Sequence, residues 1–378
     1  MELDFTSEQN MLRDSAAKFF AGECNFEEVK KIEESEQGYS PELWRKVAEL
    51  GWTGLLFPSD YGGYDGTFTD LVILQEEMGK AVFPSPFFST VIQCGLLILE
   101  GGSEEQKQTL LSRISEGSLI MALAQYEQET DYDPESIAME AKSDGDKYVL
   151  NGTKMFATDA NIADKLIVAA RTGNAGVSLL LVDARDPGVK ITKIPTVALD
   201  NTCEVIFKDV AVSKEDLIGP PGGGAELLEK MYAKATVAKV AEMVGGCRIC
   251  IDMTAAYAKG REQYGNPIGG YQAIQHFMAN MLLAYDTSSN YLYAVTRMIE
   301  DGEDFERDAS ALKAHVNGSF RYITERAVKI HGGIGTTREA DVALFFRRAH
   351  PFSLICGSSE FHYERVARKL LTEGLEAF

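Results

Sequence analysis

The sequence predicts an α+β fold of three segments, helical, then β, then helical. Three observations carry this reading. Helical apolar spacing and capping signals fill residues 1–120. Short apolar runs broken by turn signals fill residues 121–222. Long, alanine-rich helical stretches fill residues 223–378.

In the first segment, Thr6 and Gln9 have the capping-box form, with Glu8 suited to a first helical turn. Met11, Leu12, Ala16, Phe19 and Phe20 then recur at helical spacing. Ser40-Pro41 offers an N-cap and a proline at the first helical position. Leu43, Trp44, Val47 and Leu50 form one face of the helix that follows. Residues 58–64 are a turn-rich break, and further helical patterns cover 69–80 and 103–116.

In the second segment, apolar runs lie at 119–124, 148–150, 166–170, 178–182, 189–194 and 204–207. The breaks between them include Asp144-Gly145-Asp146, Asn151-Gly152 and Asp186-Pro187-Gly188. No helical stretch intervenes, so a small barrel or sandwich is expected rather than a Rossmann unit. Residues 219–224, Gly-Pro-Pro-Gly-Gly-Gly, lack the Gly-Lys-Ser/Thr ending of a phosphate-holding loop and read as a linker. In the third segment, helical patterns run over 225–259, from 273 to about 300, and over 305–330, ending at His331-Gly332-Gly333.

The 378 residues suffice for two or three domains. No apolar run reaches the roughly 18 residues of a membrane span. The first residues lack a signal peptide's basic and apolar regions, so a cytoplasmic protein is expected. The net charge of −20 argues against nucleic acid as a partner. Six scattered cysteines suggest free thiols. Cys247-x-x-Cys250 has no second ligand pair at a zinc-site spacing, and core packing is its reading; no metal is expected.

The most specific stretch is residues 261–272, Arg-Glu-Gln-Tyr-Gly-Asn-Pro-Ile-Gly-Gly-Tyr-Gln. An arginine ending a long helix, a turn, and a new helix near Gln272 could present cationic and amide donors to a phosphate-bearing cofactor. Taken alone, Arg261 reads as a surface cation. The whole pattern resembles the acyl-CoA dehydrogenase family, with its R-x-x-F-G-x-x-I/L-x-x-F/Y-Q stretch. The opening Leu3-Asp4-Phe5-Thr6-Ser7-Glu8-Gln9, the Pro58-to-Gly63 turn, residues 150–159 and His331-Gly332-Gly333-Ile334-Gly335 extend the resemblance over nearly the full chain.

The resemblance implies an N-terminal helical domain (1–120), a central β-barrel or sandwich domain (121–222) and a C-terminal four-helix bundle (223–378), assembled as a tetramer. It implies FAD as cofactor, an acyl-CoA substrate and an electron-transfer flavoprotein as acceptor. Arg261 and Gln272 would bind the ADP half of FAD held mainly by a neighbouring subunit, with Tyr264 in the aromatic place. Phe156 would pack near the flavin ring and Thr158 would hydrogen-bond it; unaided, they read as a strand aromatic and a turn threonine. Gly332 and Gly333 would let the cofactor approach a bare backbone, or could simply cap a helix. Ser358 and Glu360 belong to the same expected cofactor site. Lys329 stands where the family has glutamine and could meet a phosphate as a point charge.

The departures are as informative. The family's base is the glutamate of E-G-T/S-x-E/Q, and here the stretch is Cys356-Gly357-Ser358-Ser359-Glu360. Some relatives place the base at a position that here holds Ala235, beside Thr236. The flavin- and thioester-contacting T-E-P-x-A-G-S-D loop reads Tyr126-Glu127-Gln128-Glu129-Thr130-Asp131-Tyr132-Asp133. Tyrosines thus replace its threonine and serine. This set resembles the small-subunit branch of pimeloyl-CoA dehydrogenase type.

Three readings of Cys356 stay open. It could mark a subunit whose catalysis belongs to a partner. Another base could act: Glu360, Glu127, Asp131 or Asp133. Cys356 itself could act, although no cation to lower its pKa is identifiable from the sequence. The functions in play are an FAD-dependent acyl-CoA dehydrogenase of dicarboxylic or cyclic acyl-CoA in a homo- or heterotetramer, a non-catalytic subunit completing a partner's FAD site, and a flavin monooxygenase on the same fold.

Overall fold

The computed structural model describes residues 5–129 and 131–373. Leu3, Asp4 and Thr130 of the motifs above lie outside the described residues. Helix α1 (Ser7–Glu23) opens on a closed capping box: the Gln9 N–H donates to the Thr6 hydroxyl, and the Thr6 N–H donates to the Gln9 side chain. After α2 (Phe26–Glu34), α3 (Pro41–Glu49) starts on the Ser40 cap with Pro41 in its first position. The cap of α4 (Phe68–Ala81) is a second capping box, between Thr67 and Asp70. A π-helical stretch, Phe88–Cys94, leads into α5 (Gly95–Gly101). Another, Lys107–Leu111, separates α6 (Glu104–Gln106) from α7 (Ser112–Ser115).

The strands follow as β1 (Met121–Ala124), β2 (Ala141–Asp144), β3 (Lys147–Thr158), β4 (Lys165–Arg171), β5 (Val177–Asp183), β6 (Val189–Lys193), β7 (Thr202–Ser213) and β8 (Leu217–Ile218). They form two four-stranded sheets, ordered β1-β4-β5-β8 and β2-β3-β7-β6. Only the β1–β4 pairing within them is parallel. The β2–β3 hairpin closes through Gly145-Asp146, with Gly145 at φ +61°. Leu150, Val205 and Phe207 of one sheet share a buried core with Leu166, Val168 and Leu180 of the other. This is the sandwich solution that alternating burial along half-covered strands predicts.

The last part of the chain is α8 (Gly224–Gly260), a short hairpin of β9 (Glu262–Gln263) and β10 (Asn266–Pro267), then α9 (Gln272–Asp301), α10 (Glu306–His331), α11 (Val342–Leu354) and α12 (Ser359–Glu373). Helix α10 packs against α9, α11 and α12. Cys247 and Cys250 are buried on α8, and burial pushes both thiols up.

The chain divides into two compact units. One comprises Met1–Val29, Thr67–Phe83 and Thr236–Phe378; the other comprises Lys30–Gly66 and Pro84–Ala235. In the first unit α4 and α8 touch backbone to backbone. A methyl added to Gly79 would stand 1.9 Å from the Glu242 carbonyl oxygen, and one on Gly245 would stand 2.0 Å from that of Glu76. In the second unit the Trp44 indole donates to the Gly117 carbonyl at 3.0 Å, tying α3 to the residues before β1.

Candidate functional site

In the second unit the site candidates gather on β3 and on the loop after β1. Lys154 is fully buried on β3, and its Nζ donates to the Gln125 carbonyl at 2.9 Å and to Glu127 Oε1 at 2.5 Å. Burial lowers the Lys154 pKa to about 8, with Glu127 opposing that fall. Glu127 also accepts the backbone N–H groups of Ala138 and Met139, at 3.1 and 3.0 Å. Both oxygens are therefore committed to holding the loop, which leaves Glu127 a poor candidate for a base. Asp131 and Asp133 likewise accept local backbone N–H groups, from Asp133 at 2.7 Å and Glu135 at 2.9 Å.

The register of β3 against β7 shifts between Lys154 and Ala157, and that bulge turns Phe156 outward. Phe156 sits at φ +57° with 55% of its surface exposed. A non-glycine residue held in the left-handed region marks a place where the backbone is strained to present a side chain. Thr158 is half-buried at the end of the same strand. The Met155 N–H donates to the Tyr126 carbonyl at 2.8 Å, tying the bulge to the loop after β1. Tyr232, on the first part of α8, donates its hydroxyl to that of Tyr126 at 3.0 Å. The Tyr126 and Tyr132 rings meet edge to face with centroids 5.7 Å apart. Ala235, one turn beyond Tyr232, is fully buried.

In the first unit the other candidates fall into two groups. Arg261 is exposed just beyond α8 and pairs with no carboxylate among the described residues. Its carbonyl accepts the Ile268 N–H at 2.8 Å, which closes the β9–β10 turn. Tyr264 stands at the tip at φ +52° and is 94% exposed. Gln272 is the first residue of α9, and Tyr271 before it supplies no side-chain cap. A helix start without a side-chain cap favours an anion. Lys329 is exposed, its Nζ 5.3 Å from the Phe277 ring centroid. His331 stacks on Tyr257 and ends α10. Gly332 then adopts φ +70°, ψ −145°, and neither it nor Gly333 has a neighbour within 4 Å of an added Cβ. The conformation at Gly332 requires glycine, and the space at both is open.

The second group surrounds Cys356, which is buried at φ +62°. Burial pushes its thiol up to about 11, while the Lys313 and Lys239 ammonium groups and the Thr236 hydroxyl pull the other way. Lys313 is fully buried, donating to Asn317 Oδ1 at 2.6 Å and the Phe352 carbonyl at 2.8 Å. Its burial lowers it to about 7. The His362 ring donates through Nε2 to the Cys356 carbonyl at 3.0 Å, and Nδ1 has no partner among the described residues. Ser358 accepts the Phe361 N–H at 3.3 Å at the start of α12. Glu360 is exposed, and its carboxylate is held below the usual range by its own backbone N–H and the Ser358 hydroxyl. A protonated thiol and a stabilised carboxylate are both weak bases near neutral pH.

The sequence reading saw no cation near Cys356, and here the structure corrects it. Lys239, Lys313 and His362 were missed. The signal for the lysines was present: each interrupts an apolar helical run, Lys239 between Ala238 and Val240, Lys313 between Leu312 and Ala314.

Models of the acyl-CoA dehydrogenase N-terminal, middle and C-terminal domains match residues 6–118, 122–210 and 222–371. The acryloyl-CoA reductase (NADH) of Anaerotignum propionicum is 30% identical over 385 residues, which covers 98% of this chain and 96% of the reductase. The chain belongs to the acyl-CoA dehydrogenase family. Butyryl-CoA dehydrogenase from Megasphaera elsdenii shares its fold with a TM-score of 0.90 and 26% identity, covering 98% of this chain and all of that one. A structure of PigA with FAD and proline matches with a TM-score of 0.92 and 26% identity, covering 99% and 100%. The family's curated relatives are named as dehydrogenases and reductases, oxidoreductases of CH–CH bonds.

Proposed function

We propose that this chain is an FAD-binding subunit of an acyl-CoA oxidoreductase. It acts in a homo- or heteromeric assembly of homologous subunits, on the bond α,β to the thioester. The observation that carries this reading is the open edge formed by Arg261 and Gln272. Arg261 is exposed with no carboxylate partner among the described residues, and Gln272 opens a 30-residue helix that has no side-chain cap; both features suit a phosphate-bearing cofactor. The outward Phe156 and the open backbone at Gly332 and Gly333 also fit a large planar cofactor with phosphates.

By the family resemblance, Arg261, Gln272 and Lys329 would meet cofactor phosphates, with Tyr264, Gly332, Gly333, Ser358 and Glu360 as further cofactor contacts of the first unit, and Phe156 and Thr158 would be the second unit's contacts to a flavin ring. Bound FAD supplies two-electron, hydride-transfer chemistry. Proton transfer at the α-carbon needs a group of this chain or of a partner. Cys356, protonated near neutral pH and buried, is poorly suited, and Glu127 and Glu360 are held by their own hydrogen bonds. That favours a partner subunit as the source of the base, in keeping with the small-subunit resemblance. An electron-transfer flavoprotein is the proposed redox partner.

The test is a visible spectrum of the gently purified chain, then an acyl-CoA bleaching screen with and without a homologous subunit that carries the glutamate. Flavin bands that bleach only with the partner support the reading. Protein without flavin in both preparations overturns it.

A further inference from the structure

Three tyrosines in the second unit form a contact that the proposed chemistry does not require. Tyr232 on α8 donates its hydroxyl to Tyr126 at 3.0 Å, and Tyr126 packs edge to face with Tyr132. The Tyr126 carbonyl is held by the Met155 N–H, and Tyr132 lies between Asp131 and Asp133, which are joined by a backbone-to-side-chain bond of 2.7 Å. Tyr232 is buried, and Ala235 one turn further along α8 is fully buried.

The positions matter as much as the contact. Tyr126 and Tyr132 stand where the family resemblance gives a threonine and a serine on the loop that meets the flavin and thioester. Tyr232 lies one helical turn before the alternative base position at Ala235, and residues three apart share a face. Each replacement puts a phenol ring where a small polar side chain would leave room for a ligand. The half-buried Tyr126 and Tyr132 rings meet edge to face, and Tyr126 is joined to α8 by a hydrogen bond.

We infer that Tyr126, Tyr132 and Tyr232 form an aromatic latch that keeps an acyl-CoA thioester out of the space between the 126–133 loop and α8 in this chain. The inference rests on the proposed function, because it assumes that an acyl-CoA is the ligand of the assembly. It makes these residues determinants of which subunit accepts substrate. The latch and the missing carboxylate then describe the same subunit, one that retains its outward cofactor edge and does not take the thioester.

The test is calorimetric titration of butyryl-CoA into the purified flavoprotein, counted per copy of this chain, with flavin content read separately by absorbance. The native chain is expected to add no saturable site. Tyr126→Thr combined with Tyr132→Ser is expected to add one saturable site per copy, and a folded double variant without one overturns the latch. Tyr232→Phe keeps every ring and removes the hydroxyl bridge, and is expected to gain binding to a smaller extent. If the double variant does not fold, Tyr232→Phe decides alone, and no gain of binding over the native chain overturns the latch. One tight butyryl-CoA per native chain in a flavin-containing protein overturns the latch alone. Absence of flavin overturns the functional reading instead.

Discussion

Burial decides the chemistry of single residues around Cys356. Lys313 has a folded pKa of about 7, below the ordinary 10.5 that it regains on unfolding. Between those values the unfolded chain binds more protons, so stability rises with pH, by at most about 1.4 kcal/mol per pH unit. Below pH 7 both states are protonated and the full cost of the buried ammonium is present. Urea unfolding at pH 7 and 9 should show Lys313→Met with a flatter dependence than the native chain; an unchanged slope would contradict the assignment. His362 works at the acid end. Its folded pKa of about 3 lies below the ordinary 6.5, so stability is lost as pH falls from 6.5 toward 3. His362→Gln should lessen that loss in acid-unfolding curves. The Cys356 thiol, pushed up to about 11 and buried, should react with iodoacetamide far more slowly in native than in unfolded protein. None of this was legible in the sequence, because a pKa depends on what a side chain is packed against. Only the lysines left a trace, as charges inside apolar runs.

At the scale of elements, much was legible where local signals agree. The capping box at Thr6 and the cap at Ser40 formed as read, and the helical patterns over 225–259 and 305–330 correspond to α8 and α10. The breaks at Gly145 and Gly152 fall at a hairpin and at a register shift. The bulge at Phe156 left no signal, because no glycine or proline marks it and the strain is imposed by pairing to β7. The π-helical stretches were also silent, since their composition is that of ordinary helix. The approach of α4 to α8 is a prediction of its own. Gly245→Ala puts a methyl against the Glu76 carbonyl of a close-packed crossing and should destabilise the protein by about 1–3 kcal/mol. A urea midpoint equal to the native one would mean that the crossing tolerates the shift.

For the whole molecule, chain order and compactness differ. Helices α1 and α4 belong to the same compact unit as the C-terminal bundle, a long-range association that periodicity in a sequence window does not encode. That unit also exposes Tyr264, and Leu283 at 66%, apolar surface that fits assembly with a homologous subunit. Leu283→Asp should shift the protein toward monomer in light scattering after gel filtration. We propose that Arg261 and Gln272 hold the cofactor of an acyl-CoA oxidoreductase assembly. The decisive measurement is the visible absorption spectrum of the purified assembly, with native protein compared with Arg261→Ala. Flavin bands are expected in the native protein and at least a tenfold weaker flavin affinity in the variant, the scale of losing about 1.5–3 kcal/mol of charged hydrogen bonding. A colourless native assembly, or a variant that holds flavin as tightly as native, would contradict it.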